Sequence, residues 1–232
     1  MTTANTISEV SIANLALLRV GSTQTISSFT DGSNEANQAG AAYPQCRDAV
    51  LADFPWPWAK AETPLSQVAG PEINKLRARA EWSRSYRYPS DAVKILSLMP
   101  TPAKSDIPYG YSQTWKRDPT NPSPIDFDIG SDSQGRLILT DCYGIGNGMT
   151  AIYTQKVSDP NQFSPDFADA LAWRIAIDLS MGLAFSDQKR QGAEHGYEMT
   201  MRKARATAMN EVRTAISQIS YRSRTVRARW SW

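Results

Sequence analysis

The chain has 232 residues, of which 41% are hydrophobic and 21% are charged, and its formal net charge at neutral pH is only +2. This composition is typical of a folded protein of one or two domains and excludes a wholly disordered chain. Because the net charge is close to zero, the molecule as a whole is not a general polyanion binder, and any nucleic-acid role requires a local basic patch.

Several classes of site and segment are disfavoured by the residues present. Met1 to Val20 has neither a basic start nor a long apolar run, so we expect no signal peptide, no membrane partner and a soluble protein made in the cytoplasm. Cys46 and Cys142 lie far apart without metal-binding spacing, so we expect buried free thiols rather than a disulfide or a zinc site. The single histidine, His195, is expected to be exposed to solvent or to cap a helix rather than to be catalytic. We expect no catalytic, metal or cofactor site.

The first 62 residues are predicted to be helical. Residues 6–9, Thr-Ile-Ser-Glu, have the form of a capping box, so a first helix is predicted to begin there and to end before Gly21. A second helix is predicted to begin near Ser33. Its apolar face repeats every three or four residues: Tyr43, Cys46, Val50 and Phe54. Pro55 and Pro57 end this helix, and Trp56 and Trp58 are interpreted as core residues.

Residues 63–160 are predicted to form a small antiparallel β-domain inserted between the helices. Four runs have the composition or alternation of strands: Ala92–Leu98, Ile125–Ile129, Arg136–Thr140 and Met149–Thr154. Asn147-Gly148 predicts a hairpin turn before the last of them. Six of the 14 prolines lie within residues 100–124, which predicts a long irregular loop that carries contacts.

Residues 161–219 are predicted to be helical again. Ser164 and Pro165 have the residue types of an N-cap and a first helical position, and the apolar body should extend from Phe167 to Phe185, with an ion pair between Arg174 and Asp178. A long last helix is predicted from near Asp187. Its apolar stripe is rich in small residues: Ala193, Tyr197, Met201, Ala204, Ala208, Val212, Ala215 and Ile219. Its other faces carry Arg202, Lys203, Arg205, Glu211 and Arg213. The predicted fold class is therefore α+β, mainly α, with two N-terminal and two C-terminal helices in a four-helix bundle.

The last segment, residues 220–232, is predicted to be an extended docking tail. It contains four arginines, three aromatic residues and no acidic residue. Arginine and tryptophan are enriched in binding hot spots, and both also suit nucleic acid through phosphate contacts and base stacking. The candidate docking residues are Tyr221, Arg222, Arg224, Arg227, Arg229, Trp230 and Trp232.

Four segments of the chain form an ordered set. They are Ile12–Gly21, followed by Ile26; Ala42–Trp58, which ends in Pro-Trp-Pro-Trp; Tyr86–Leu96, which has the form Tyr-x-x-Pro-x-Asp; and Phe167–Ala176. In this order the set resembles the opening helix, the second helix, the entry to the β-region and a late helix of the tail tubular protein A family, the head-to-tail adaptors of short-tailed bacteriophages.

This resemblance implies a structural virion protein of the head-tail junction. Members of the family form a ring of identical subunits, commonly twelve, between the portal of the capsid and the tail nozzle, and genomic double-stranded DNA passes through the channel of the ring. The family offers no chemical site to carry over. In the wider adaptor class the C-terminal segment often docks on the portal, which here corresponds to Tyr221–Trp232.

Two other classes of function remain open at the level of sequence. A nucleic-acid-binding protein is indicated by the basic last helix and the tail, and it would have a salt-dependent affinity for DNA. A glycoside hydrolase would use a pair of carboxylates near the β-region as acid and base, either Asp126 with Asp128 or Asp132 with Asp141. Carboxylates close to turns more commonly bind water or the backbone, which disfavours the hydrolase.

Overall fold

The computed structural model describes residues 7–68, 82, 84–100, 125–140, 149–183 and 186–211. Within these residues the molecule is a mixture of α and β structure, with four helices and two three-stranded antiparallel sheets, and about half of the residues are helical. The predicted combination of helices with antiparallel strands is confirmed. The described residues do not include 101–124 of the proline-rich loop, Cys142, the Asn147-Gly148 turn or the tail from 220 to 232.

The four helices are α1 (Glu9–Val20), α2 (Asn34–Asp53), α3 (Pro165–Gly182) and α4 (Asp187–Glu211). Helix α1 begins two residues later than predicted, because Ser8 and not Thr6 is its N-cap. The Ser8 hydroxyl accepts a hydrogen bond from the backbone N–H of Ser11 at 3.0 Å, and the Ser11 hydroxyl accepts one from the N–H of Ser8 at 2.9 Å. Gly21 ends the helix as predicted, with φ +78°, a left-handed conformation that glycine adopts without strain.

The starts of α2 and α3 lie where the sequence predicts them. The hydroxyl of Ser33 accepts from the N–H of Ala36, and the hydroxyl of Ser164 accepts from the N–H of Phe167. Helix α3 ends at Gly182, earlier than the predicted Phe185, since glycine is a poor helix former and its backbone lies against the side chain of Gln38.

The six strands are β1 (Lys60–Leu65), β2 (Arg84–Arg87), β3 (Ala92–Pro100), β4 (Asp128–Asp132), β5 (Gly135–Thr140) and β6 (Met149–Gln155). One sheet has the order β1-β6-β3 and the other has the order β2-β5-β4. Strands β1 and β2 were not predicted, and β1 begins at Lys60, inside the segment predicted to be helical up to residue 62. Strand β4 lies three residues later than the predicted run, because it pairs with β5 around a turn in which Asp132 is opposite Gly135.

The predicted hairpin between β5 and β6 is wrong. Strand β5 pairs with β2 and β4, whereas β6 lies between β1 and β3 in the other sheet. The two sheets are connected differently, by the chain that follows β1. The N–H of Arg87 donates to the carbonyl of Ser66, and the N–H of Val68 donates to the carbonyl of Ser85, both at 2.9 Å. One continuous segment, 60–68, therefore bonds first to β6 and then to β2.

Two hydrophobic clusters lie in the described residues. The larger one includes buried residues of all four helices together with Trp56. Trp56 is 1% exposed, its indole N–H donates to the carbonyl of Val50 at 2.9 Å, and its ring packs edge-on against Phe167, which confirms that it is a core residue. The second cluster has members from both sheets: Tyr86, Tyr88, Ile95, Leu98, Ile138, Met149, Ala151 and Tyr153.

Helix α3 is at the centre of the helical cluster, as its apolar composition predicts. Ala170, Leu171 and Ile175 are fully buried, and α3 contacts each of the other three helices. The predicted ion pair of Arg174 with Asp178 does not form. The carboxylate of Asp178 accepts instead from the thiol of Cys46 on α2, at 3.1 Å, which confirms Cys46 as a buried free thiol.

Candidate interaction surface

All seven predicted docking residues lie in 220–232, outside the described part of the chain. The element that leads toward them in sequence is α4, and the described residues allow its attachment to the rest of the molecule to be followed as far as Glu211. The candidate interaction surface in the described residues is therefore the exposed face of α4.

The predicted apolar stripe of α4 does face the helical core. Ala193, Met201, Ala204 and Ala208 are each at most 6% exposed, and Tyr197 is half-buried against the same cluster. Small side chains on this stripe let α4 approach α3 closely. The last three predicted members of the stripe, Val212, Ala215 and Ile219, lie outside the described residues.

Helices α3 and α4 approach each other closely at Gly196. A Cβ atom placed on Gly196 would lie 2.8 Å from the ring of Trp173, so only glycine fits here without a shift. Arg19 of α1 also lies over this ring, with its guanidinium carbon 4.2 Å from the ring centroid. Arg19 also pairs with Asp169, which accepts a hydrogen bond from Thr200. The middle of α4 is thus held to α1 and α3 together.

A second set of contacts holds α4 to the end of α2. The Tyr197 hydroxyl donates to the Asp53 carboxylate at 2.5 Å, and the Arg205 guanidinium lies 3.5 Å from the Asp53 backbone carbonyl. Burial is the largest cause that raises the pKa of Tyr197, followed by the hydrogen bond that its hydroxyl donates to Asp53 and by the charge of that carboxylate, so the hydroxyl stays a donor at all physiological pH values. These contacts fix α4 up to Arg205.

The outward face of this fixed segment is basic. Arg202, Lys203 and Arg205 are exposed, and no acidic residue occurs between Glu198 and Glu211. The same asymmetry extends over the rest of the chain. Residues 199–232 contain eight of the 25 basic residues but only one of the 23 acidic residues, so this segment carries a formal charge of +7 and the preceding 198 residues carry −5. The net charge of +2 for the whole chain does not show this uneven distribution. Counting the charges segment by segment does show it from the sequence alone.

The carboxylates considered for glycoside hydrolysis have structural partners. Asp132 accepts hydrogen bonds from the Arg87 guanidinium at 2.8 and 3.0 Å, and this pairing holds the pKa of Asp132 below its usual range. An aspartate in this state is ionised at neutral pH and is not a proton donor. Asp128 accepts from the N–H of Ile129 at 2.7 Å. Asp126 is exposed, and Asp141 lies outside the described residues.

The remaining titratable candidates lack the environment of a nucleophile or a metal ligand. Burial and the neighbouring Asp178 raise the pKa of the Cys46 thiol, so it stays protonated. His195 is exposed, as expected. Among the described residues no group of three or more potential metal ligands occurs. None of the described helices combines the length and the apolar character that a membrane crossing requires.

Comparison of the chain with models of known protein families and with curated protein sequences gives no match.

Proposed function

We propose that this chain is a subunit of a head-to-tail adaptor. In this proposal its four helices form a bundle, and copies of the chain, twelve in the family that it resembles, form a ring between a portal and a tail nozzle at the head-tail junction of a virion. The observation that carries the proposal is the attachment of α4: a helix fixed to α1, α2 and α3 leads directly, in sequence, to the arginine- and aromatic-rich residues 220–232.

The positions of the resembling segments support the proposal. Ile12–Gly21 covers most of α1 and its left-handed cap, Ala42–Trp58 covers most of α2 and the buried Trp56, and Phe167–Ala176 lies in the buried part of α3. These are the residues that build the helical core, where a scaffold protein has its strongest sequence requirements. A bundle is supported by the hydrophobic cluster that all four helices share.

The fourth resembling segment has a similar structural role. In Tyr86–Leu96, Asp91 follows the turn at Pro89, and its carboxylate accepts hydrogen bonds from the Tyr153 hydroxyl and the Gln155 amide. The carbonyl of Asp91 accepts from the N–H of Lys156 at 2.7 Å. Asp91 thus joins the start of β3 to β6. Its carboxylate and its carbonyl both accept hydrogen bonds there, which suits a structural role better than a catalytic one.

The test is binding to the cognate portal ring, measured by co-sedimentation. The full chain should bind, and a chain truncated after Ile219 should not, while its thermal unfolding temperature stays within a few degrees of that of the full chain. Within the tail, Trp230→Ala and Trp232→Ala should each weaken binding more than Arg222→Ala, because buried aromatic anchors contribute about 2 kcal/mol or more and exposed ion pairs contribute under about 1 kcal/mol.

Two results would contradict the proposal at different levels. If the truncated chain melts normally and binds the portal as tightly as the full chain, the tail is not the docking element. If the full chain fails to sediment with the portal at every ionic strength, the adaptor function itself is wrong.

A further inference from the structure

We infer that the outward face of α4 around Arg202 and Lys203, flanked by Arg205, contacts the phosphate backbone of double-stranded DNA. This surface consists of described residues alone and does not depend on the proposed function.

The first step is the local charge of α4. In the described residues 199–211, the basic residues Arg202, Lys203 and Arg205 stand against one acidic residue, Glu211. This local excess of positive charge attracts a polyanion to the second half of α4.

The second step is the availability of these side chains. Arg202 and Lys203 form no ion pair with any carboxylate in the part of the chain that the structure describes, and both are exposed. Arg190, nearer the start of the same helix, is by contrast paired with Glu194 at 3.6 Å. Within the described part of α4, the cations that remain available for a phosphate therefore lie in its second half.

The third step is rigidity. The buried Met201 and Ala204 alternate with the exposed cations, and the Gly196 and Tyr197 contacts hold the preceding turn. A phosphate-binding group on a fixed helix loses less conformational entropy on binding than one on a flexible loop. Met199 and Ala206, two nearby exposed positions, carry side chains without hydrogen-bonding groups. A contact with phosphate carries no sequence information, so the affinity should be the same for DNA of unrelated sequences.

The experiment measures the affinity of the full chain for two short duplexes of unrelated sequence as a function of salt concentration, by fluorescence anisotropy. The test variant is Arg202→Gln with Lys203→Gln. The matched control is Lys60→Gln with Lys94→Gln, which removes the same charge from exposed positions on β1 and β3. Each phosphate contact contributes about 0.9 to the slope of log K against log salt, so the test variant should lower the slope by about 1.8 for both duplexes, and the control should leave it unchanged.

The outcomes separate this inference from the proposed function. Equal slopes for the test variant and the full chain, equal losses in test variant and control, or no measurable DNA binding by the full chain would each overturn it. Loss of portal co-sedimentation by the test variant, with an unchanged DNA slope, would assign this face to the portal and also overturn it. Failure of the full chain to bind the portal, with the expected change in slope, would remove the adaptor function and leave the DNA surface intact.

Discussion

At the scale of single residues, Gly196 is the position where helix packing depends on a missing side chain. A Cβ here would lie 2.8 Å from the Trp173 ring, whereas a Cβ on Gly192, one turn earlier in α4, meets nothing within 4 Å. Alanine is a better helix former than glycine by about 0.5–1 kcal/mol, so Gly192→Ala should stabilise the protein by that amount. Gly196→Ala should instead destabilise it by about 1–3 kcal/mol, because the clash must push α4 away from α3.

Urea unfolding of both variants measures the difference between these two glycines. The free energies of unfolding should change in opposite directions. Equal stabilisation by both substitutions would mean that Trp173 moves aside at little cost and that the Gly196 contact does not restrict the packing of α4.

The Asp132–Arg87 ion pair predicts how the stability of the fold depends on pH. Hydrogen bonds from Arg87 are the main cause that holds the pKa of Asp132 below its usual range. A carboxyl whose pKa is lower in the folded state stabilises the fold at pH values above its unfolded pKa of about 3.9, and this stabilisation is lost as the pH falls through the folded pKa. Asp132→Asn should therefore lower the unfolding temperature at pH 7, and the difference from the unsubstituted protein should shrink in strongly acidic solution.

The control for this substitution is Asp126→Asn, at an exposed position shortly before the same strand. It removes the same charge without touching Arg87 and should have a small effect at every pH. A deficit of Asp132→Asn that stays constant down to the acid transition would mean that the side-chain shape matters there and the charge does not.

At the scale of elements, the N-cap of α3 should matter most for the stability of the fold, because α3 packs on all three other helices. Ser164 accepts from the N–H of Phe167, one of the helix donors without a partner inside the helix. Ser164→Ala should lower the free energy of unfolding by about 1 kcal/mol, the typical value of an N-cap. Ser158→Ala, on an exposed loop residue, is the matched control and should change it by less than about 0.5 kcal/mol. Chemical denaturation of the two variants makes the comparison, and equal losses would mean that the cap has no special weight.

The sequence predicts the helices well and the strands poorly, and the reason is physical. Ser33, Ser164 and Gly21 act on backbone groups within a few residues, so their effect is readable from local sequence. Strand β1 contains Pro64 and two charged residues, and β2 contains two arginines, so neither has the composition of a typical strand. Both form because they pair with β6 and β5, far along the chain. Local propensity carries no information about such partners.

For the candidate surface, too, the sequence predicts the local features and misses the contacts between distant residues. The predicted buried stripe of α4 is confirmed as far as Ala208, because helical spacing is a local property that the sequence shows. Its attachment was not predicted, since the contacts of Gly196 with Trp173 and of Tyr197 with Asp53 join residues that are distant in sequence. The basic face was predicted from Arg202, Lys203 and Arg205, and the exposure of these three residues agrees with that prediction.

At the scale of the whole molecule, the proposed function predicts a change of mass. A ring interface that forms on a portal template need not be stable in free solution, so the isolated chain should be a monomer. Mass photometry after addition of the cognate portal should detect a complex that contains about twelve copies of the chain, the number in the resembling family. A portal without a ring site, one that lacks its tail-facing surface, is the control. A stable oligomer of the chain alone, unaffected by the portal, would contradict templated assembly.

The strand order of the first sheet means that β1 is synthesised long before the strand with which it pairs. Strand β6 lies between β1 and β3, and β1 is complete at Leu65 whereas β6 is complete only at Gln155. At translation rates of roughly 5–20 residues per second, β1 stays unpaired for roughly 5–18 s until β6 has been synthesised. Helix α2 likewise has its apolar face uncovered until α3 emerges. Nascent chains of this protein should therefore associate with chaperones over that interval, and release should follow soon after the ribosome has passed the codons of α3.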